Sequence, residues 1–419
     1  MAIIQPFCGV RPAKAYASSI AALPYDVYNR KEAKDHAASR PLSFLNIDRP
    51  ETQFPDDTDM YSQEVYDKAL EIFTKMVKDG SFIQDSSACY YLYALTMNGR
   101  TQTGIVGCAS IDDYLSGVIK KHENTREEKE LDRFRHVDTM SAQTGPIFLT
   151  YRPVQELNTL ISSIKCMDSE YDFTSEDGIR HQVWVIDSPE VIRKISEIFS
   201  RIDHIYIADG HHRTASAVRA GLKRRAEHPE YKGTEEFNYF LSVLFPENEL
   251  MIYDYNRVVK DFAGHTWDEI LKMISEYFIV SEVTDEYLDS DGIPHPQKKG
   301  EILMYGNSQW KLLTAKSECY TDDPVKDLDV SLLQELVLTP IFNIQDPRTD
   351  QRIDFIGGIH GIEHLKNLVD QGQGAIAFAM YPTSMQELLH VADEGLLMPP
   401  KSTWFEPKLR SGLFIHKIE

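Results

Sequence analysis

Apolar positions recur along this chain in two alternating rhythms. Between Ser62 and Asp79, the residues Val65, Ala69, Ile72, Phe73, Met76 and Val77 share one face at helical spacing, and Gly80 follows as a stop. Cys89–Thr96 and Thr101–Ser110 read as strands around Asn98-Gly99, a strong hairpin signal. Pro146–Tyr151, His181–Asp187, Tyr239–Phe245 and Leu250–Val259 read as further strands, and Pro189–Ile202 as a helix. Asn29 is placed to cap a helix through Lys31–Ala38. Past Gly264 the pattern predicts helices at Trp267–Phe278, Leu332–Phe342 (interrupted near Pro340), Ile362–Asp370 and Ser384–Ala392. It also predicts a hairpin of Glu301–Tyr305 with Gln309–Leu313, and strands at Ile353–Ile356, Ala375–Tyr381 and Leu413–Lys417. Such alternation predicts an α/β chain of mixed, α+β-type sheets. Residues 1–262 form the expected catalytic domain and residues 263–419 a smaller α/β domain, whose last stretch is a candidate to return to the first.

Composition narrows the function. The 419 residues carry a formal net charge of −21, which repels nucleic acid and anionic lipid. The five cysteines are scattered with no CxxC, so neither a zinc ribbon nor a dithiol pair is expected. No run approaches the ~18 apolar residues of a membrane span, and the start lacks a signal-peptide pattern. A cytoplasmic protein without a nucleic-acid or membrane partner is therefore expected.

The densest chemistry lies at Ile205–Ala220, IYIADGHHRTASAVRA. A short apolar strand breaks at Asp209-Gly210, and helix-favouring residues run from Thr214 onward. Asp209, Gly210, His211, His212, Arg213 and Thr214 then surround a helix N-terminus, where unpaired amide N–H groups and the positive dipole end favour phosphate oxygens. Asp209 sits where a general base or a Mg²⁺ ligand would sit. The plainer alternative is an N-capping aspartate with space-filling histidines. Zinc is disfavoured, because adjacent side chains such as His211 and His212 diverge.

Two other stretches carry candidate groups. In Lys121-His122-Glu123-Asn124-Thr125, either Asn124 or Thr125 can cap the charged helix that follows, leaving His122 and Glu123 in a loop suited to catalysis. In Gly395–Gly412, Lys401 and Lys408 on a proline-stiffened loop could clamp an anion; a structural loop is the alternative. Asp26 and Tyr28 read as cap and turn residues, and Arg219, Lys223, Arg224 and Arg225 as a solvated basic face. P-loop, GxSxG, HExxH and strand-linked GxGxxG patterns are missing.

PYDV at Pro24–Val27, HENT at His122–Thr125, DGHHR at Asp209–Arg213, YNR at Tyr255–Arg257 and MPPKSTWFEPK at Met398–Lys408 appear in the order of the family of unknown function DUF1015. By these motifs the chain is identified as a member. The strand–Gly-His-Arg–helix turn also resembles the phosphate-binding turn of the ParB/sulfiredoxin superfamily, which includes kinases of free L-serine. That resemblance implies a ParB/sulfiredoxin-like catalytic domain and a nucleotide- or polyphosphate-dependent kinase of free L-serine or a similar hydroxyl metabolite. Asp209, Glu123 and His122 would be catalytic, and Asp209 and Glu123 would hold Mg²⁺. Gly210, His211, His212, Arg213, Thr214, Arg257 and Lys401 would bind the phosphates of ATP, ADP or another polyphosphate. The cysteine of sulfiredoxin's turn is replaced by histidine here, which argues against sulfinate reduction. A nucleotide-binding switch without turnover and a phosphate-ester hydrolase stay open as alternatives. The partners implied are a small-molecule substrate and a nucleotide; a homodimer is compatible with the sequence.

Overall fold

Nine strands build the larger sheet of the protein, which a computed structural model describes over residues 1–419. In chain order they are Ile4–Gln5 (β1), Tyr90–Met97 (β2), Arg100–Ser110 (β3), Ile119–Lys120 (β4), Ile147–Tyr151 (β5), Tyr171–Thr174 (β6), Arg180–Ile186 (β7), Ile205–Asp209 (β8) and Tyr239–Pro246 (β9). They lie in the order β4-β8-β5-β9-β3-β2-β7-β6, with β1 also paired to β3. The β4–β8 and β5–β9 pairs are parallel and the others antiparallel. The β2–β3 hairpin turns on Asn98 and Gly99, both at positive φ (50° and 77°), the mirror-image turn that matches strand twist.

Apolar residues of this sheet, among them Leu92, Ile105, Leu149, Ile207 and Leu244, bury against Leu157, Ile195 and Phe199. Each such side chain contributes roughly 1.5–3 kcal/mol of transfer free energy. The helix Gln63–Lys78 (α1) buries Val65, and packs Ala69, Phe73 and Met76 into a separate cluster, while Val77 stays exposed. Arg30–Ala38 is a helix held by a capping box between Asn29 and Glu32.

By their contacts the residues divide into two compact units, Met1–Leu250 with Pro407–Glu419, and Met251–Glu406. The second unit begins at Met251 rather than at residue 263 because Tyr255–Val259 (β10) belongs to its sheet. That sheet contains Phe278–Glu282 (β11), Glu301–Gly306 (β12), Gln309–Ala315 (β13), Ile353–Gly357 (β14) and Ile376–Met380 (β15) in the order β11-β13-β12-β15-β10-β14. The β12–β13 turn is Asn307-Ser308, both at positive φ. The expected helix over Leu332–Phe342 is instead a short α-turn at Asp329–Leu333 and a π-turn at Gln334–Leu338. The Trp267–Phe278 helix stops at Ile274 because Phe278 opens β11. Both units are mixed α/β, as the pattern predicted.

Candidate active site

β8 delivers the DGHHR segment. Ile205 and Ile207 point into the apolar cluster, and strict alternation would send Asp209 the same way. The register with β5 shifts between Ile207 and Asp209, and such an irregularity re-aims the residue beyond it. Gly210 then turns the chain by itself at φ 98°. The helix His211–Glu227 (α2) therefore starts three residues earlier than the Thr214 start predicted from propensity, and His211, His212 and Arg213 form its first turn. No side chain caps this end, so its leading amides retain their anion-binding capacity.

Asp209 is recessed but reachable, with 39% of its side chain exposed. Arg213 Nη2 lies 3.8 Å and Lys408 Nζ 3.5 Å from its Oδ2, and the Gly210 amide donates to its Oδ1 at 2.9 Å. Burial pushes the Asp209 carboxyl up, but Lys408, Arg213 and the Gly210 amide overcome it and hold the group well below the usual carboxylate range. Both cation distances exceed hydrogen-bond length. Arg213 is braced by a 2.8 Å bond from Nη1 to the Pro146 carbonyl.

The HENT segment packs on the same turn. The His122 and His211 rings meet edge to face at 4.5 Å, and Glu123 Oε2 lies 3.9 Å from His211 Nδ1 with its side chain 54% exposed. His211 Nε2 accepts from the His122 amide at 3.4 Å, and His212 Nε2 accepts from the Arg126 amide at 3.0 Å. Acceptance at Nε2 places the proton of each neutral ring on Nδ1. Burial pushes His122 down to about 4, partly opposed by Asp209 and a backbone hydrogen bond with Ile207. Burial and His122 push His211 far down as well, and burial with Lys129 lowers His212. All three imidazoles are thus neutral near pH 7. They pin the HENT loop to the helix start and do not add positive charge to it. The charge comes from Arg213 and Lys408.

The following helix, Glu127–Met140, takes Arg126 as its N-cap, and neither Asn124 nor Thr125 caps it. Thr125 Oγ1 instead donates to Glu130 at 3.0 Å. The expected basic face of α2 is neutralised: Lys223 and Arg224 pair with Asp138, and Arg225 with Asp112.

Asp209, Gly210, His211, His212, Arg213, Thr214, His122 and Glu123 are therefore gathered in the first unit. Arg257 and Lys401 belong to the second, where Arg257 Nη2 donates to the Lys401 carbonyl at 3.0 Å and Lys401 Nζ lies 5.4 Å from the Tyr255 ring centre. Lys408, from the end of the proline-rich stretch, folds with the first unit and reaches Asp209. Tyr25, whose ring lies 4.1 Å beneath the Arg133 guanidinium, was hidden inside PYDV; its motif was the only signal. No group of three or more His, Cys, Asp or Glu side chains is arranged to hold a metal ion.

A family model described as a protein of unknown function, DUF1015, matches residues 4–331. No curated protein matches the chain. Among solved structures the chain is similar to a free serine kinase in complex with AMP, at 13% identity and TM-score 0.35, covering 72% of this chain and 86% of that one. It is also similar to C-terminally truncated SbnI from Staphylococcus aureus (13%, TM-score 0.37, 72% and 82% covered). A conserved hypothetical protein from Pyrococcus furiosus matches at 13% and TM-score 0.34, with 73% and 93% covered. All three likenesses are distant. No helix is long and apolar enough to cross a membrane.

Proposed function

The chain belongs to the DUF1015 family, and we propose that its Asp209 turn is the centre of a small-molecule phosphotransferase. The observation that carries this reading is an ionised, solvent-reachable carboxylate at an uncapped helix start, with Lys408 and Arg213 3.5 and 3.8 Å away. Phosphoryl transfer needs positioning and charge neutralisation above all. The first-turn amides, Arg213 and Lys408 would hold the terminal phosphate of ATP, ADP or another polyphosphate. The acceptor hydroxyl, of free L-serine or a similar metabolite, would donate to Asp209 as it attacks phosphorus. The bond to the leaving oxygen breaks, and the hydroxyl proton passes to Asp209 or, through solvent, to Glu123. His122 and His211, neutral and mutually packed, hold Glu123 and the turn in register.

Mg²⁺ takes few protein ligands beside substrate phosphates, and two reachable carboxylates, Asp209 and Glu123, fit that pattern. When bound, the ion would neutralise phosphate charge.

The test is incubation of the purified protein with labelled nucleotides and a pool of amino acids. Phosphoserine, or another phosphorylated hydroxyl compound, supports transfer. Nucleotide binding without turnover points to a switch, and phosphate release without an acceptor product to a hydrolase. Asp209→Asn should abolish transfer with the fold intact; full activity in that variant removes Asp209 from the mechanism.

A further inference from the structure

A cavity of about 40 Å³ lies within the first unit, and Arg213 and Ser216 of α2 form part of its wall. That volume admits roughly three water-sized positions. It suits a solute of few heavy atoms and is far too small for a nucleoside. Asp48, Arg133, Thr144, Gly145 and Ser411 also line it.

The charges on this wall are unequal in how they are satisfied. Arg133 is held by Asp132, with Nε and Nη2 both 2.8 Å from Oδ2, and stacks on Tyr25. Asp48 is only 4% exposed, and one carboxylate oxygen accepts from Thr144 Oγ1 at 3.0 Å. Arg133 and His136 act on it electrostatically, and Arg133 Nη1 donates to its backbone carbonyl at 3.3 Å, but Arg133 makes its direct ion pair with Asp132. A buried carboxylate that lacks a directly paired cation gains from one, and this one borders empty space. Arg213 borders the same space while its Nη2 stands 3.8 Å from Asp209.

On the phosphotransferase reading, we propose that this cavity is the acceptor pocket and takes a small α-amino acid as its zwitterion. The ammonium group pairs with Asp48 beside Thr144, and the carboxylate pairs with Arg213. Arg213 is shared between the cavity and the Asp209 turn, which brings a short side-chain hydroxyl toward the reacting carboxylate. Gly145 keeps the space open: a Cβ there would stand 3.2 Å from Ser411 Oγ and 3.6 Å from Arg213 Nη1.

The experiment measures binding to the full chain by calorimetry and thermal shift, with L-serine, glycerate (no ammonium) and ethanolamine (no carboxylate) as probes. L-Serine should bind about tenfold or more tightly than either analogue, a difference of at least ~1.4 kcal/mol. Asp48→Asn, which keeps the Thr144 hydrogen bond, should erase the preference for L-serine over glycerate. Gly145→Ala should weaken L-serine binding and leave nucleotide affinity unchanged. Equal affinity for glycerate and L-serine, or no binding of L-serine, overturns the pocket. These readouts need no turnover: L-serine binding without phosphoryl transfer removes the kinase reading and leaves the pocket, whereas transfer to an alcohol that lacks an amino group removes the pocket and leaves the kinase.

Discussion

Lys408 Nζ lies 3.5 Å from Asp209 Oδ2, joining the C-terminal segment of the first unit to the turn that opens α2. The contact is too long for a hydrogen bond, yet Lys408 is the largest of the influences that lower the Asp209 carboxyl. Lys408→Met should cut phosphoryl transfer by about a hundredfold, the usual order for one electrostatic stabiliser, and Lys408→Arg should restore part of it. Because removing Lys408 raises the Asp209 carboxyl, the acid limb of the rate–pH profile should move to higher pH. An unmoved limb would separate Lys408 from Asp209.

Gly210 is needed for two reasons. Its φ of 98° disfavours any L side chain, and a Cβ would stand 3.2 Å from Arg213 Nε and Nη2. Gly210→Ala should cost about 1–2 kcal/mol by chemical denaturation and weaken nucleotide binding, since Arg213 must shift. Wild-type binding in a destabilised variant would confine Gly210 to a backbone role.

The histidine pair predicts a pH dependence of stability. His122 is 2% exposed and pushed down to about 4, and His211 lies well below its ordinary value. Folded values below the unfolded value of about 6.5 mean the stabilisation is present above that pH and is lost as pH falls toward the folded values. At about 1.4 kcal/mol per pKa unit, stability should fall by a few kcal/mol between pH 7 and 5. Imidazole NMR shifts should show both rings neutral at pH 7; a ring titrating near 6.5 would refute the packing account.

Asp329, in the second unit, runs the other way. Burial and the nearby Glu387 and Glu301 push it up to about 7, although both its oxygens accept from the Gly300 amide at 2.9 Å. A raised carboxyl favours the folded state below the unfolded value of about 4, and that advantage is lost as pH rises through 7. Asp329→Asn should therefore stabilise the protein at pH 8, by on the order of 2–4 kcal/mol from the same per-unit conversion, and have little effect at pH 4. Destabilisation at pH 8 would contradict it.

The strand before Asp209, the hairpins at Asn98-Gly99 and Asn307-Ser308, and the α1 stripe were legible because they follow from periods of two and 3.6 and from turn residues with positive φ. The DGHHR and HENT motifs were legible as chemistry because ionisable groups cluster within a few positions. What the linear chain could not convey was burial. The histidines of these motifs are neutral near pH 7 because packing desolvates them. Lys401 and Lys408 share a proline-flanked setting, yet Lys401 folds with the second unit and Lys408 with the first, beside Asp209. Asp48 carried no local signal at all, since its significance is a cavity formed by residues distant in sequence. Local order and the inventory of reactive groups are properties of neighbouring residues, so the sequence by itself determined them. Charge state, pairing and accessible space depend on which distant atoms exclude water, and only the tertiary structure decided those.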